Sequence, residues 1–150
     1  MNTRQYNDVV VADVQVATKG AATLVNGTTL FTISGGAILI ESIVAICKTG
    51  NNGTASTLQF SADPTDGAPT TISGASASLA SALAGATVVT VTGTLATAPA
   101  VYAAGVGIAG TVGIIVTEGI ITSVVGVGST TGTWEIVMRY KPLSNGVKVS

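Results

Sequence analysis

The chain of 150 residues contains no histidine, one cysteine and only thirteen charged residues. Without histidine it has neither a Ser–His nor a Cys–His pair for nucleophilic catalysis, and no histidine ligand for a metal. A single cysteine excludes an internal disulfide. Because no histidine base can activate its thiol, we expect Cys47 to be a small buried apolar residue. The sequence therefore predicts a protein that is not an enzyme.

The seven acidic residues are the remaining candidates for catalysis or metal binding, and none lies in a recognisable motif. Glu41 interrupts an apolar run, and we expect it to be exposed or to form an ion pair with Arg139 or Lys48. Asp63 and Asp66 lie in an Asp-Pro-x-Asp-Gly stretch that lacks the spaced ligands of a calcium loop. This stretch predicts a turn. We expect no catalytic residue, no metal site and no cofactor.

Charge is scarce and unevenly distributed. The net charge is −1, and no charged residue lies between Asp66 and Glu118. Binding to nucleic acid requires a basic patch, so we expect no nucleic-acid partner. The apolar fraction of 47% against 9% charged residues excludes disorder. A weakly hydrated surface of this kind suits burial against protein partners.

One apolar window, residues 98–117, is long enough to span a membrane. However, no Lys or Arg lies between Lys48 and Arg139 to set an orientation, and the glycines of the window weaken a helix. We therefore expect no membrane partner. Asp8 and Asp13 lie where a secretion signal needs its apolar run, so we also expect no targeting signal.

The clearest structural pattern is the alternation near the C-terminal end. Trp134, Ile136, Met138 and Tyr140 alternate with polar, charged and smaller residues. A period of two describes a half-buried antiparallel strand. The sequence predicts that these four side chains form a core face, and that the strand ends at Pro142.

Further apolar runs predict more strands, and the Asn-Gly dipeptides predict turns between them. Leu58 and Phe60 alternate with polar residues, and a break at Glu118-Gly119 separates strands over residues 114–117 and 120–125. The long run of residues 35–48 is apolar on both sides. The period predicts two faces for this strand: Ile38, Ile40, Val44 and Ile46 on one, Leu39 and Ile43 on the other.

Residues 75–86 carry the one helical pattern. Leu79 and Leu83 are four residues apart, and Gly85 can end a helix. The spacing predicts one short helix near residues 76–84. With seven to nine short strands, the sequence predicts an all-β domain, either a jelly-roll-like β-sandwich or a partly open barrel. We expect an N-terminal arm over residues 1–19 and a single β domain over residues 20–150.

Residues 30–50 and 114–148 together resemble the capsid decoration, or cement, proteins of tailed bacteriophages. The first stretch has an apolar strand, paired glycines and a long apolar strand. The second has two strands, a Ser-Thr-Thr-Gly turn and a tryptophan-bearing strand that ends in Tyr-Lys-Pro-Leu. The resemblance implies a jelly-roll-like virion protein that is assembled in the host cytoplasm. It also implies a homotrimer on the outer surface of the phage head, bound between major capsid proteins.

The predicted arm supplies the candidate contact residues. Arg4, Tyr6 and Asp8 are polar or aromatic residues on a segment with no obvious core to join, so we expect them to contact the capsid or a neighbouring subunit. A tail, baseplate or head-fibre component is the alternative. A cell-surface adhesin or sugar-binding module would need a secretion signal and aromatic platforms, neither of which the sequence offers.

Overall fold

A computed structural model describes residues 13–90, 106–108, 113–127 and 131–150. These residues form eleven β-strands and no helix, which confirms the all-β prediction. The strands are β1 (Gln15–Thr23), β2 (Thr29–Ser34), β3 (Ile38–Thr49), β4 (Thr57–Pro64), β5 (Thr70–Thr71), β6 (Thr87–Val89), β7 (Val106–Ile108), β8 (Ile114–Val116), β9 (Gly119–Gly126), β10 (Thr133–Pro142) and β11 (Lys148–Val149).

The strands form two antiparallel sheets. The first sheet has the order β1-β10-β3-β8-β7, and β6 pairs with β3 beside β8. The second sheet has the order β11-β2-β9-β4-β5. From β1 to β4 the chain changes sheet at every connection, and it does so again from β8 to β11. Neighbours in each sheet are therefore mostly distant in sequence.

Both sheets contribute to one buried apolar cluster. In β10 the predicted core face is confirmed, because the side chains of Trp134, Ile136, Met138 and Tyr140 are exposed by only 1, 3, 0 and 6%. The second sheet contributes residues that are equally buried: Phe31, Ile33, Leu58, Phe60 and Ile121. Burying such a side chain contributes roughly 1.5–3 kcal/mol, so this cluster is the main stabilising feature of the two sheets.

Two of the Asn-Gly dipeptides form turns, as predicted, with positive φ angles of 77° at Gly27 and 85° at Gly146. Neither turn closes a hairpin between paired strands. The first joins β1 to β2 and the second joins β10 to β11, so each carries the chain from the first sheet to the second. Asn26 also anchors its turn, since its Oδ1 accepts a hydrogen bond of 3.0 Å from the backbone N–H of Val125.

The predicted faces of β3 are wrong beyond Ile40. The buried residues are Ile38 and Ile40, and then Ile43, Ala45 and Cys47. The pairing with β10 explains the change, because adjacent residues of β10 pair with residues 42 and 40 of β3. Glu41 is the extra residue of a β-bulge, and one extra residue moves every later side chain to the opposite face.

A second irregularity lies near the end of β3, where Thr133 pairs with Thr49 and Trp134 with Cys47. Lys48 is the extra residue here. The two charged residues of β3 are thus its two bulge residues. A bulge leaves its extra residue outside the regular ladder, which allows a charged side chain in a strand whose other side chains are mostly apolar.

The helix predicted near residues 76–84 is absent, and residues 72–86 form an irregular connection between β5 and β6. Leu79 is buried at 8% exposure, whereas Leu83 is 77% exposed, so the two leucines do not share a buried face. Ser81 has a positive φ angle of 56°, which an α-helix does not accommodate. The helical spacing of the leucines was misleading.

Backbone groups of this connection instead bond to strands of both sheets. The N–H groups of Ser76 and Leu79 donate to the carbonyls of Leu58 and Ser56 at 2.9 and 2.8 Å. The N–H of Gly85 donates to the carbonyl of Cys47 at 2.8 Å. An isolated two-turn helix of serine and alanine is only marginally stable, so these hydrogen bonds to the strands decide the conformation.

The predicted arm is described only from Asp13 onward. Residues 15–19 form the first half of β1, and they pair with residues 136–140 of β10. The boundary placed at residue 19 therefore lies inside a strand of the first sheet. In the described part of the chain, no helix has the length and apolar content that a membrane span requires.

Candidate interaction surface

The predicted contact residues Arg4, Tyr6 and Asp8 lie outside the described residues. The structure therefore brings none of the three to a defined place. The described element nearest to them in sequence is β1, at one edge of the first sheet. The candidate surface consists of β1 and the outer face of this sheet. This outer face is the side opposite the core.

A charged cluster lies at one end of the outer face. The Glu41 carboxylate is 3.3 Å from the Lys141 Nζ atom and 3.9 Å from an Arg139 guanidinium nitrogen. The bulge at Glu41 presents its carboxylate to β10, and the predicted ion pair with Arg139 is confirmed. Partly exposed pairs of this kind stabilise by about 0–1 kcal/mol, so the cluster fixes the orientation of side chains more than it stabilises the fold.

A second ion pair lies at the other end of this face. The Lys48 Nζ atom is 3.0 Å from the Glu135 carboxylate. Lys48 therefore pairs with Glu135 and not with Glu41. Each bulge residue of β3 is paired with an opposite charge on β10, which explains how the otherwise apolar strand accommodates two charges.

Between the two charged ends runs a row of mostly apolar residues. Thr18 pairs with Val137, Val137 with Val44, and Val44 with Val89, across four adjacent strands. We call these four residues the valine row. Val89 is 52% exposed, and Val137 and Val44 are half-buried. An apolar strip flanked by polar groups has the composition of a protein contact surface and offers no group for acid–base chemistry.

The edge formed by β1 is the second feature of this surface. Among the described strands it pairs only with β10, and eight of its nine residues are exposed. The hydroxyl of Tyr140 donates a hydrogen bond of 2.8 Å to Oε1 of Gln15, which ties the start of β1 to its neighbour. Nine residues is long for an uncovered edge, and such an edge offers backbone groups to another strand.

The chemistry of Cys47 supports the interpretation made from the sequence. Its side chain is 1% exposed, and the thiol donates to the carbonyl of Thr49 at 3.1 Å. Burial raises the pKa of the Cys47 thiol, and a smaller opposing effect comes from a hydrogen bond with the backbone of Asn51. A raised pKa keeps the sulfur protonated, so it is a poor nucleophile.

One cavity of about 220 Å³ lies between β4 and the segment that contains β6. Its polar lining includes Ser73 and Ser76, whose hydroxyls accept hydrogen bonds from the backbone N–H groups of Phe60 and Leu58 at 2.9 and 3.0 Å. No charged side chain lines it. Since these hydroxyls already satisfy the edge of β4, the cavity offers little to orient a polar ligand.

Sequence reasoning missed both the valine row and the open edge. The row joins residues 18, 44, 89 and 137, whose adjacency depends on strand order and not on local pattern. The two charged residues of β3 were a usable signal for the bulges, because both interrupt an apolar strand and both are bulge residues.

Comparisons of the chain with protein-family models, curated proteins and solved structures give no match.

Proposed function

We propose that this chain is a structural protein of a phage virion, a decoration protein that binds the outer surface of the head between major capsid proteins and stabilises the shell. The observation that carries the proposal is the strand order. With the short strands β6, β7 and β11 set aside, the remaining eight strands are arranged as β1-β10-β3-β8 and β2-β9-β4-β5. Two four-stranded antiparallel sheets joined by repeated crossovers fit a jelly-roll-like β-sandwich, an architecture that viral capsid domains use.

A fold of this type also carries other functions, so the proposal depends on the surface as well. Sugar-binding jelly rolls need accessible aromatic rings, but the four aromatic residues in the described part of the chain are buried: Phe31, Phe60, Trp134 and Tyr140. Metal-dependent enzymes of this architecture rely on histidine ligands, and the sequence contains no histidine. These observations favour a structural role.

The valine row suits contact with a large protein surface. It is apolar at its centre and flanked by the Glu41 cluster and the Lys48–Glu135 pair, and an interface core with a polar rim has this arrangement. Self-association, of which the homotrimer that the family resemblance implies is one form, would multiply a modest local affinity if several subunits bound the shell together. Avidity of this kind is the mechanism that we propose for stabilising the shell.

The test is binding of the purified full-length chain to undecorated phage heads, measured by co-sedimentation. We expect saturable binding at a fixed number of copies per head, and heads that resist heat longer when decorated. Binding to isolated tails or to host cells, without binding to heads, would favour the tail or head-fibre alternative and contradict the decoration role.

The contact role of the arm is tested with variants in the same assay. Deletion of residues 1–12 leaves β1 intact, and we expect it to weaken binding by at least about tenfold, as loss of one or two contact residues does. The substitution Arg4→Ala with Tyr6→Ala and Asp8→Ala should act similarly. Alanine at Asn2, Thr3 and Gln5 is the matched control. Unchanged binding by the deletion variant would exclude a contact role for residues 1–12 of the arm.

A further inference from the structure

We propose that β1 is the self-association edge of this protein. Two copies pair through their β1 strands in antiparallel orientation, centred on Val16, so that their first sheets become one continuous sheet. The proposal goes beyond the decoration role and does not depend on it. It also differs from the homotrimer that the family resemblance implies, because a contact between two identical edges is twofold.

The lengths of the edge strands carry the first step. Among the described strands, β5 and β11 have two residues each, and β6 and β7 have three. Short edges of this kind offer too few backbone groups for strand addition. Only β1, with nine residues and no proline, is long enough. If a second copy supplies a partner strand from its described residues, that strand is therefore its own β1.

The residues of β1 limit where pairing occurs. Its second half contains a bulge between Lys19 and Ala22, and an irregularity of that kind disrupts a ladder. The first half pairs regularly with β10, from Gln15 opposite Tyr140 to Lys19 opposite Ile136. The residues just before it, Asp13 and Val14, are exposed, and in the proposed pair they continue the strand. Residues 13–19 therefore form the part of this edge that can accept a strand.

Charge selects the register. When two copies of residues 13–19 pair about Val16, Asp13 of each lies opposite Lys19 of the other. These two residues are the only charged ones in the segment, and both are exposed. Val14 then lies opposite Thr18, and Val16 lies opposite Val16 of the second copy. The segment is self-complementary in this register, with two opposite-charge pairs directly across the new strand pair.

Burial of apolar surface supports the same contact. Val16 in β1 is 60% exposed, and Val14 just before the strand is 37% exposed. In the proposed pair the two Val16 side chains are neighbours, and each Val14 lies two positions from them. Strand pairing would thus remove part of the apolar surface of Val14 and Val16 from water.

Charge reversal tests the register in the purified full chain. Asp13→Lys alone, or Lys19→Asp alone, places like charges opposite each other twice, and we expect each to raise the dimer Kd by about tenfold. The double variant restores opposite charges, so its Kd should return to within about threefold of the original. Sedimentation equilibrium at low salt measures all four. A double variant as weak as the single ones would overturn the register.

A disulfide test measures distance independently. Directly opposite residues in an antiparallel pair have Cα atoms about 4.5–5.5 Å apart, within disulfide range. Val16→Cys should therefore cross-link two copies under mild oxidation. Thr18→Cys is the matched control, since the two Thr18 residues would be about four strand positions, roughly 13 Å, apart. Cross-linking of both variants, or of neither, would contradict the proposed register.

Other occupants of the edge give different results. If residues 1–12 of the same chain cover β1, the chain is monomeric and deletion of residues 1–12 exposes the β1 amides to hydrogen exchange. A mass of three copies that the Asp13 and Lys19 variants leave unchanged would place self-association elsewhere. Either result would overturn the proposal. Dimers that fail to bind heads would contradict the decoration role and leave the β1 contact supported.

Discussion

Trp134 combines near-complete burial with a polar atom that has no hydrogen-bond partner among the described residues. Its side chain is 1% exposed and belongs to the core cluster, yet its Nε1 atom donates no hydrogen bond to any described residue. An unsatisfied buried donor costs about 1–3 kcal/mol. The apolar contacts of the ring must therefore outweigh this cost.

This balance predicts a small change in stability for one substitution of Trp134 and a large loss for another. Trp134→Phe keeps an aromatic ring and removes the unpaired donor, so the free energy of unfolding should change by less than about 1.5 kcal/mol. Trp134→Ala empties the site and should cost about 3–5 kcal/mol. Urea denaturation followed by circular dichroism measures both. A loss for the phenylalanine variant as large as that for the alanine variant would contradict this balance.

Cys47 and Tyr140 make the free energy of unfolding depend on pH in the alkaline range. Burial raises the pKa of both side chains above their ordinary values of 9.0 and 10.0. In the unfolded chain both groups therefore lose their protons at a lower pH than in the folded chain. Stability is fully present below the ordinary pKa values and falls as the pH rises above them.

We accordingly expect the urea midpoint to be constant from neutral pH to about pH 8.5 and to fall above it. Cys47→Ala should remove the part of this decrease that begins near pH 9, and Tyr140→Phe the part that begins near pH 10. Each variant is compared with the unmodified chain at neutral pH, so that its packing cost is subtracted. An unchanged alkaline decrease in both variants would assign it to other groups.

At the scale of the element, β10 and β3 show what the sequence can predict. The alternation of β10 gave the correct buried face because all four of its large side chains keep a period of two. In β3 the same reasoning failed, because Glu41 adds a residue and reverses the faces. A charge inside an apolar strand is the signal that would have located the bulge.

The prediction of a helix in the connection between β5 and β6 was wrong for a different reason. Its leucine spacing indicated a helix, but its serines bond to β4. The hydroxyls of Ser73 and Ser76 accept hydrogen bonds from Phe60 and Leu58 and so continue the edge that β5 leaves short. Tertiary hydrogen bonds of this kind have no periodic signature in the sequence.

These hydroxyls should therefore contribute to stability. Ser73→Ala together with Ser76→Ala leaves two backbone N–H groups of β4 without their acceptors, and we expect a loss of about 2–4 kcal/mol. Ser78→Ala is the matched control, because its hydroxyl accepts only a local bond from the exposed Ala80 at 3.3 Å. Thermal unfolding measures the three proteins. Equal melting temperatures would show that water replaces the serines.

At the scale of the whole molecule, composition and strand pattern predicted the all-β class but not the order of strands. Two Asn-Gly turns were expected where they occur, yet both cross between the sheets. Which strands become neighbours is decided by packing of the two buried faces, so the valine row and the open β1 edge could not be read from local pattern. The residues predicted for contact, Arg4, Tyr6 and Asp8, stay a prediction.

The pairing of β1 with β10 also bears on how the polypeptide reaches its native state. The hydrogen bond between Gln15 and Tyr140 joins residues 125 positions apart, and β10 is also the neighbour of β3 in the middle of the first sheet. Few consecutive strands pair, so little native structure forms locally. Such a topology folds slowly, on a timescale of about milliseconds to seconds. During synthesis, the central part of the first sheet has to wait until residues 133–142 have left the ribosome.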